Sequence, residues 1–574
     1  VRSSTPGGAY QPWNGTSMAA PHATGTAALL HQAQPGLSIT ATAFALTSTA
    51  VPLVLTVSDT IPNNTYGWGR LDALGAVLRV ASAGSLSGMV RTTAGQPIPQ
   101  ATVAALSETS ADHALAIADA AGRYALPLTA GPYTVTASAF GYTTSAPARV
   151  VVSPGAVTQH DIVLEATPTG VLQGSILEEG TGTPLAATVA ISGAGLVAQT
   201  DPNTGVYSIT LPVGVYTLRA SSLGHRVVTR EAVIVAAGDT ASAFFSLPTG
   251  PNVLLVDSGA WYNDSHAAAY QRALDGLGYV HATHAITIAD SVPRLADLVP
   301  YDVVIWSAPQ DSPGLIGADA VIKQYLDQGG RLLISGQDVA YWDGGGSASF
   351  YASYFFDYLH ARFIADQAGS AGLHAVPLEP FAGITLTLNT ADSDRNQSTP
   401  DVVAPYDRQS AAVFAYDSSQ TAGLRADVCL PYRVLYFSFG LEGAGPAANR
   451  QAVLDQSITW LMGSRPQRQL ELTSGNQLHI QSAPALVTGT VSLWNTGRLT
   501  DTYNLAASDS PWPVTLWDGA FQHQILGEVT AASCQVVTVG VAITIPYDTA
   551  RDVTDAISLT ATSASSPTVS RAVS

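Results

Sequence analysis

The stretch "NGTSMAAPHATG", residues 14–25, holds the residues best placed to do chemistry. Ser17 follows Gly15 and Thr16 and precedes a run of small residues through Ala28, the pattern of a tight turn entering a helix. A hydroxyl there sits beside free backbone N–H groups and the positive end of the helix dipole, both of which favour developing negative charge. That suits a nucleophile whose transition state is an oxyanion. A lone serine at a helix start is equally an ordinary N-cap, so the residue type by itself leaves both roles open.

The element that must carry Ser17 is a helix of about four turns, running past Leu29 and Leu30 to end at Pro35-Gly36. Pro21 fits it as one of the first positions, whose N–H groups have no internal partner to lose. His22, five positions beyond Ser17, points roughly 140° around the helix. It cannot reach the hydroxyl and is expected to pack. His31, at the far end, reads as a polar surface residue.

Taken whole, "GTSMAAPH" followed by Gly25 resembles the active-site serine signature of the subtilisin-like serine peptidases. "VRSSTPGGAYQPW" before it resembles that family's preceding strand and turn, and "YGWGRLDALGAV", residues 66–77, resembles the segment closing its catalytic domain. The resemblance implies that Ser17 is the acylating nucleophile and its backbone N–H an oxyanion donor. Gly15, Thr16, Pro21 and His22 are then supporting motif positions. In that family the order is Asp, His, Ser, with an oxyanion Asn also ahead of the serine. All three would fall before Val1, so the expectation is the C-terminal portion of a serine endopeptidase, inactive by itself. Its first residues should pack poorly, as a parallel sheet short of strands. The implied substrate is a protein or peptide. No cofactor is implied within this chain, and calcium would belong to the family's missing part.

Composition frames the rest. The net charge is −18, from 24 basic and 42 acidic residues, and Lys323 is the only lysine. Such a surface repels phosphate, which argues against nucleic acid and anionic membrane as partners. The 51 glycines, 34 prolines and short Thr, Ser and Val runs read as strands between turns. Cys429 and Cys534 lie far apart, in different domains, and read as neither a disulfide framework nor a metal cluster. No stretch approaches the roughly 18 apolar residues of a membrane span. The sequence opens on Val1 without a basic n-region or apolar h-region. Extracellular or cell-surface placement by bacterial-type secretion is expected from the family.

Residues 86–164 and 172–247 repeat one another: "LSGMVRTTAGQPIPQATVA" matches "LQGSILEEGTGTPLAATVA", and Gly122, Tyr124 and Gly131-Tyr133 recur as Gly205, Tyr207 and Gly214-Tyr216. A period of about 85 residues is too long for a solenoid and suits a small β-sandwich. Both copies resemble the carboxypeptidase regulatory-like domain, a transthyretin-like sandwich. Asp119 and Asp201 precede loop glycines and read as turn formers.

From Pro251 the pattern alternates: "NVLLVD", "YDVVIWSA" and "RLLISGQD" read as strands, "AAAYQRALDGLGY" and "GADAVIKQYLDQGG" as helices. This predicts an open, parallel α/β sheet. It resembles a flavodoxin-like, glutamine-amidotransferase-like domain, closed by "RVLYFSFGLEG" and a last helix. Asp257, Ser307, Gln337 and Asp338 would gather at the carboxyl ends of the strands, where such sheets bind ligands. Gln337 stands where amidotransferases carry a nucleophilic Cys, which favours a structural or docking role. "VLLVDSGAW" imitates the peptidases' aspartate motif, but no "HGTH" follows it, and His266, His281 and His284 stand in unrelated contexts.

The tail reads as strands with three tryptophans, Trp494, Trp512 and Trp517, suited to a core or, less readily, to sugar stacking. It resembles an Ig-like β-sandwich. The expected architecture is therefore multidomain: 1–82 the C-terminal part of a subtilisin-like α/β domain, 83–166 and 167–249 two regulatory-like sandwiches, 250–466 the flavodoxin-like unit, and 467–574 the Ig-like sandwich. The competing expectation is a non-catalytic adhesion or carbohydrate-binding scaffold carrying a degenerate peptidase remnant.

Overall fold

The computed structural model describes residues 2–5, 9–12, 16–53, 61–63, 66–81, 83–110, 112–262, 264–417, 419–475, 485–549 and 555–574. At the N-terminus, Arg2–Thr5 and Ala9–Pro12 pair antiparallel. Three helices follow: α1 (Thr16–Ala33), α2 (Ile39–Ser48) and α3 (Ala73–Ala81). The expected parallel sheet is absent among the described residues, because the two strands close on each other as a hairpin. Leu30, Ala45, Ala76 and Val80 form a small core. Packing is indeed poor: Ile39 is 88% and Leu74 70% exposed. So small a core leaves most of the helices' apolar side chains without a neighbour.

Two β-sandwiches of matching topology follow. In the first, Ala83–Thr92 pairs antiparallel with Arg123–Thr129 and parallel with Val157–Gln159 and Ile162–Leu164. A facing sheet runs in the order His113–Ile117, Thr102–Ser107, Gly131–Ser138, Ala148–Val152. The second repeats this with Thr169–Glu178 against Val206–Pro212, Thr240–Ser242 and Phe245–Leu247. Alternation of buried and exposed residues, clearest along Arg123–Thr129, turns one face of each strand inward.

The repeats share one packing device. Tyr124 donates its hydroxyl to the His160 carbonyl at 2.6 Å, and Tyr207 donates to the Ala243 carbonyl at 2.7 Å. A Cβ on Gly88 or Gly174 would run into those same two carbonyls. Glycine lets the backbones approach, and tyrosine satisfies the buried oxygen. Burial pushes both phenols up to about 12. Gly122 and Gly205 hold φ of 74° and 68° at the turns that precede the tyrosines.

Residues from Val253 build one 12-stranded sheet with apolar cores on both faces. Five strands are parallel: Val253–Asp257, His281–Ala285, Val303–Ser307, Arg331–Ser335 and Arg433–Phe437, in spatial order 2-1-3-4-5. Helices α4 (Ala267–Leu277) and α5 (Ala447–Met462) pack on one face. The sheet is mixed rather than purely parallel. Beyond Arg433–Phe437 it continues antiparallel through Thr421–Ala426 and Ser410–Tyr416. Hairpin connections need no crossover helix, so this half grows without the alternation of strand and helix that marks the first.

The C-terminal residues form two four-stranded antiparallel sheets around Leu493, Tyr503, Leu505 and Val539. Contrary to the sequence expectation, Cys429 and Cys534 form a disulfide, with Cα atoms 5.5 Å apart, that ties the mixed-sheet unit to this sandwich. Nearby, Trp494 donates to the Cys534 carbonyl at 3.2 Å, and the Arg408 guanidinium lies 5.4 Å from the Trp494 ring centre.

Candidate active site at the start of the first helix

Ser17 is the second residue of α1 and is exposed. Its N–H lies in the first turn, where helical amides lack an intrahelical acceptor. Thr16, beside it, is exposed, and Gly15 lies outside the described residues. Ala19 and Ala20 keep this end of the helix slim, and Thr26 and Leu30 anchor its far half in the core.

Two sequence expectations need correction here. Pro21 is the sixth residue of α1, in its second turn. Its missing N–H therefore does forfeit an internal bond, the one to the Ser17 carbonyl. His22 does not pack: it is exposed, and its Nδ1 lies 3.0 Å from the Met18 carbonyl, one turn back on its own helix. His31 is a surface residue as expected, and its Nε2 lies 3.2 Å from Thr42 Oγ1 on α2. Neither imidazole is positioned as a base for Ser17. What the described geometry presents here is an exposed hydroxyl beside a first-turn amide.

The comparisons with known proteins bear on this segment directly. The subtilase family model matches residues 1–69, and the carboxypeptidase regulatory-like domain model matches residues 85–165. Bacillopeptidase F of Bacillus subtilis (strain 168) is 46% identical over 92 residues, which are 16% of this chain and 6% of that protein. The chain therefore spans a small fraction of that relative's length. Among solved structures, the Bacillus anthracis TIE protein matches at 19% identity over 32% of this chain and 37% of its own, with a TM-score of 0.16. A streptococcal ancillary pilin matches at 12% over 30% and 63%, with a TM-score of 0.20.

Outside residues 1–69, the other residues singled out in the sequence have definite places. Asp119 Oδ1 accepts from the amides of Ala121 and Arg123, and Asp201 Oδ1 from those of Asn203 and Thr204. Both are turn formers. The amide bonds hold the Asp201 carboxyl below its usual range. Trp494 is buried, while Trp512 and Trp517 are half-buried. Trp494 and Trp517 sit on strands that flank Val536–Ile545 on opposite sides.

Asp257, Ser307 and Gln337 do gather at the carboxyl edge of the parallel strands, and all three are buried. Asp257 is bonded to Ser265 rather than to a histidine, which removes the reading of "VLLVDSGAW" as a peptidase aspartate. Gln337 follows the fourth parallel strand, because His281–Ala285 adds one the sequence pattern did not show. Its amide nitrogen donates to the Pro309 and Asn396 carbonyls, and its oxygen accepts from Ser398 and Thr399 N–H. Every valence is committed to loop backbone. Asp338 is tied to the same loop: Thr399 Oγ1 donates to it at 2.8 Å, and burial lifts its carboxyl to about 6. Sequence reasoning missed the carboxyls buried around them, Asp311, Asp343, Asp401 and Glu442. Only the strand-then-"GLEG" pattern before Glu442 could have signalled any of them.

Proposed function

We propose that residues 1–82 carry the acylating serine of a subtilisin-like serine endopeptidase. The observation that supports this most is Ser17 in the first turn of α1, within the stretch that the subtilase family model matches. Ser17 Oγ attacks the scissile carbonyl, a histidine takes its proton and returns it to the leaving amine, and an aspartate orients that histidine. The Ser17 N–H and an asparagine side chain hold the oxyanion. That chemistry needs an aspartate, a histidine and an asparagine beside Ser17.

The remaining units serve as non-catalytic modules that place the enzyme on a surface or a polymeric substrate. We assign 83–166 and 167–249 as transthyretin-like sandwiches, 250–466 as a flavodoxin-like unit and 467–574 as an Ig-like sandwich. Support for the flavodoxin-like reading is the 2-1-3-4-5 strand order, the order of that fold. Extracellular placement is supported by the disulfide, which persists in oxidising compartments. No helix among the described residues is long and apolar enough to cross a membrane.

The test is a fluorophosphonate probe applied to this chain and to the same chain preceded by a complete peptidase domain. Labelling at Ser17 is expected only in the longer protein and should vanish in its Ser17→Ala variant. An unlabelled longer protein would instead favour the non-catalytic scaffold.

A further inference from the structure

The carboxyl edge of the five parallel strands is independent of the peptidase segment. In a 2-1-3-4-5 sheet the chain leaves the first strand to one side and later crosses to the other, which opens a crevice between the ends of the first and third strands. Asp257 and Ser307 end those two strands and are direct Cα partners, and Ser335 is the next partner along. Two residues before each, Leu255, Ile305 and Leu333 lie in the core beneath α4 and α5. Strand periodicity therefore turns Asp257, Ser307 and Ser335 toward that same face.

Their hydrogen bonds are unequal. Ser335 Oγ donates to the Phe439 carbonyl at 2.9 Å and accepts the Leu441 N–H at 2.8 Å. Asp257 Oδ2 accepts from Ser265 at 2.5 Å, but Asp257 Oδ1 has no partner, and Ser307 Oγ has beside it only the Tyr270 hydroxyl, whose proton goes to Glu442. Asp257 is 2% exposed and Ser307 fully buried. Buried polar atoms are almost always satisfied, so two orphans on paired residues facing one way need a common explanation.

Charge supplies it. On the same face the wholly buried Glu442 accepts from Tyr270 at 2.8 Å and Asn396 at 2.7 Å. Among the described residues no Lys, Arg or His forms an ion pair with Asp257 or Glu442. His266, whose charge acts on Glu442, is bonded to Asp394 at 2.8 Å. A buried carboxylate without a positive partner is costly, and a cation relieves the cost. No three His, Cys, Asp or Glu side chains among the described residues form a metal cage. The donors on offer are instead one carboxylate and hydroxyl oxygens, which suit hard cations that keep part of their water shell.

We propose that this crevice binds one hard divalent cation of the magnesium or calcium class, with Asp257 Oδ1 and Ser307 Oγ as its protein ligands. Calorimetric titration of the EDTA-treated full chain, with MgCl2 and CaCl2 each used alone, tests it. One equivalent should bind, and Asp257→Asn and Ser307→Ala should each weaken binding by about tenfold or more. Asp509→Asn, at an exposed site on the terminal sandwich, should bind as the parent does. Circular dichroism checks that each variant is folded. If Asp257→Asn fails that check, Ser307→Ala alone decides. A parent protein that binds neither ion at millimolar concentration overturns the proposal, leaving a proton or water to satisfy the pair. Binding that the folded variants leave unchanged overturns it as well.

Discussion

Opening the Cys429–Cys534 bond should lower the thermal stability of the mixed-sheet unit and terminal sandwich together. The bond closes a loop of 105 residues in sequence separation. Releasing a loop of that length returns roughly 4.7 kcal/mol of chain entropy to the unfolded state. The folded state keeps its non-covalent contacts: the Cys534 N–H to the Asn495 carbonyl at 2.8 Å, and Trp494 to the Cys534 carbonyl at 3.2 Å. The loss therefore acts mainly through the unfolded chain. At roughly 2–4 °C per kcal/mol for a unit of this size, the transition should fall by about 10–20 °C. Differential scanning calorimetry with and without reductant, beside the Cys429→Ser/Cys534→Ser double variant, measures it, with mass spectrometry confirming free thiols. A shift below about 2 °C in fully reduced protein would refute the reasoning, since it would mean that the two units already melt independently of the crosslink.

Other outcomes are as specific. Gln337→Ala should destabilise the mixed-sheet unit by about 2–4 kcal/mol, because it orphans two carbonyls and two amides in buried loops, read from chemical denaturation midpoints. Tyr124→Phe should cost about 1–3 kcal/mol by stranding the His160 carbonyl, and Tyr207→Phe should cost the same through Ala243, each measured in the intact chain. Burial lifts the Asp311 carboxyl to about 7 and Asp343 to about 6, above an ordinary carboxyl at 3.8. The folded state then binds more protons than the unfolded one between pH 4 and 7, so stability should fall as pH rises through that window, by up to about 3–4 kcal/mol per group. Asp343→Asn, which keeps the shape without the charge, should flatten its share of the slope in unfolding measured from pH 4 to 8. The chain without a supplied peptidase domain should leave a fluorogenic peptide uncut.

Local features were legible in the sequence, and long-range ones were not. The start of α1 could be read because turn, small residues and serine are contiguous, and the sandwiches because a whole unit occurs twice. Pro21 was misplaced by a turn or so, since helix starts are set by capping geometry that one string of small residues leaves open. His281–Ala285 was invisible because "HATHA" is an edge strand with mixed polarity and no apolar run. The antiparallel half of the mixed sheet was missed because strands as short as Val402–Pro405 take their register from partners far along the chain. The cysteine pair defeats sequence reading for the same reason: each sits in a turn of its own unit, and only docking of the units brings them together. Asp257, Ser307 and Gln337 were correctly placed at one edge because the strand ends could be counted, but their partners could not.

The tyrosine and glycine that clamp a carbonyl in one sandwich recur at matching places in the next, within a single polypeptide. Each substitution thus has a twin that shares its buffer, its history and its chain. Paired measurements at Tyr124 and Tyr207, or at Gly88 and Gly174, cancel everything common to the two, and what is left is the influence of neighbours: the N-terminal helices before one, the mixed-sheet unit after the other. In this molecule duplication acts as a built-in control for asking how far a module's stability depends on its place in line.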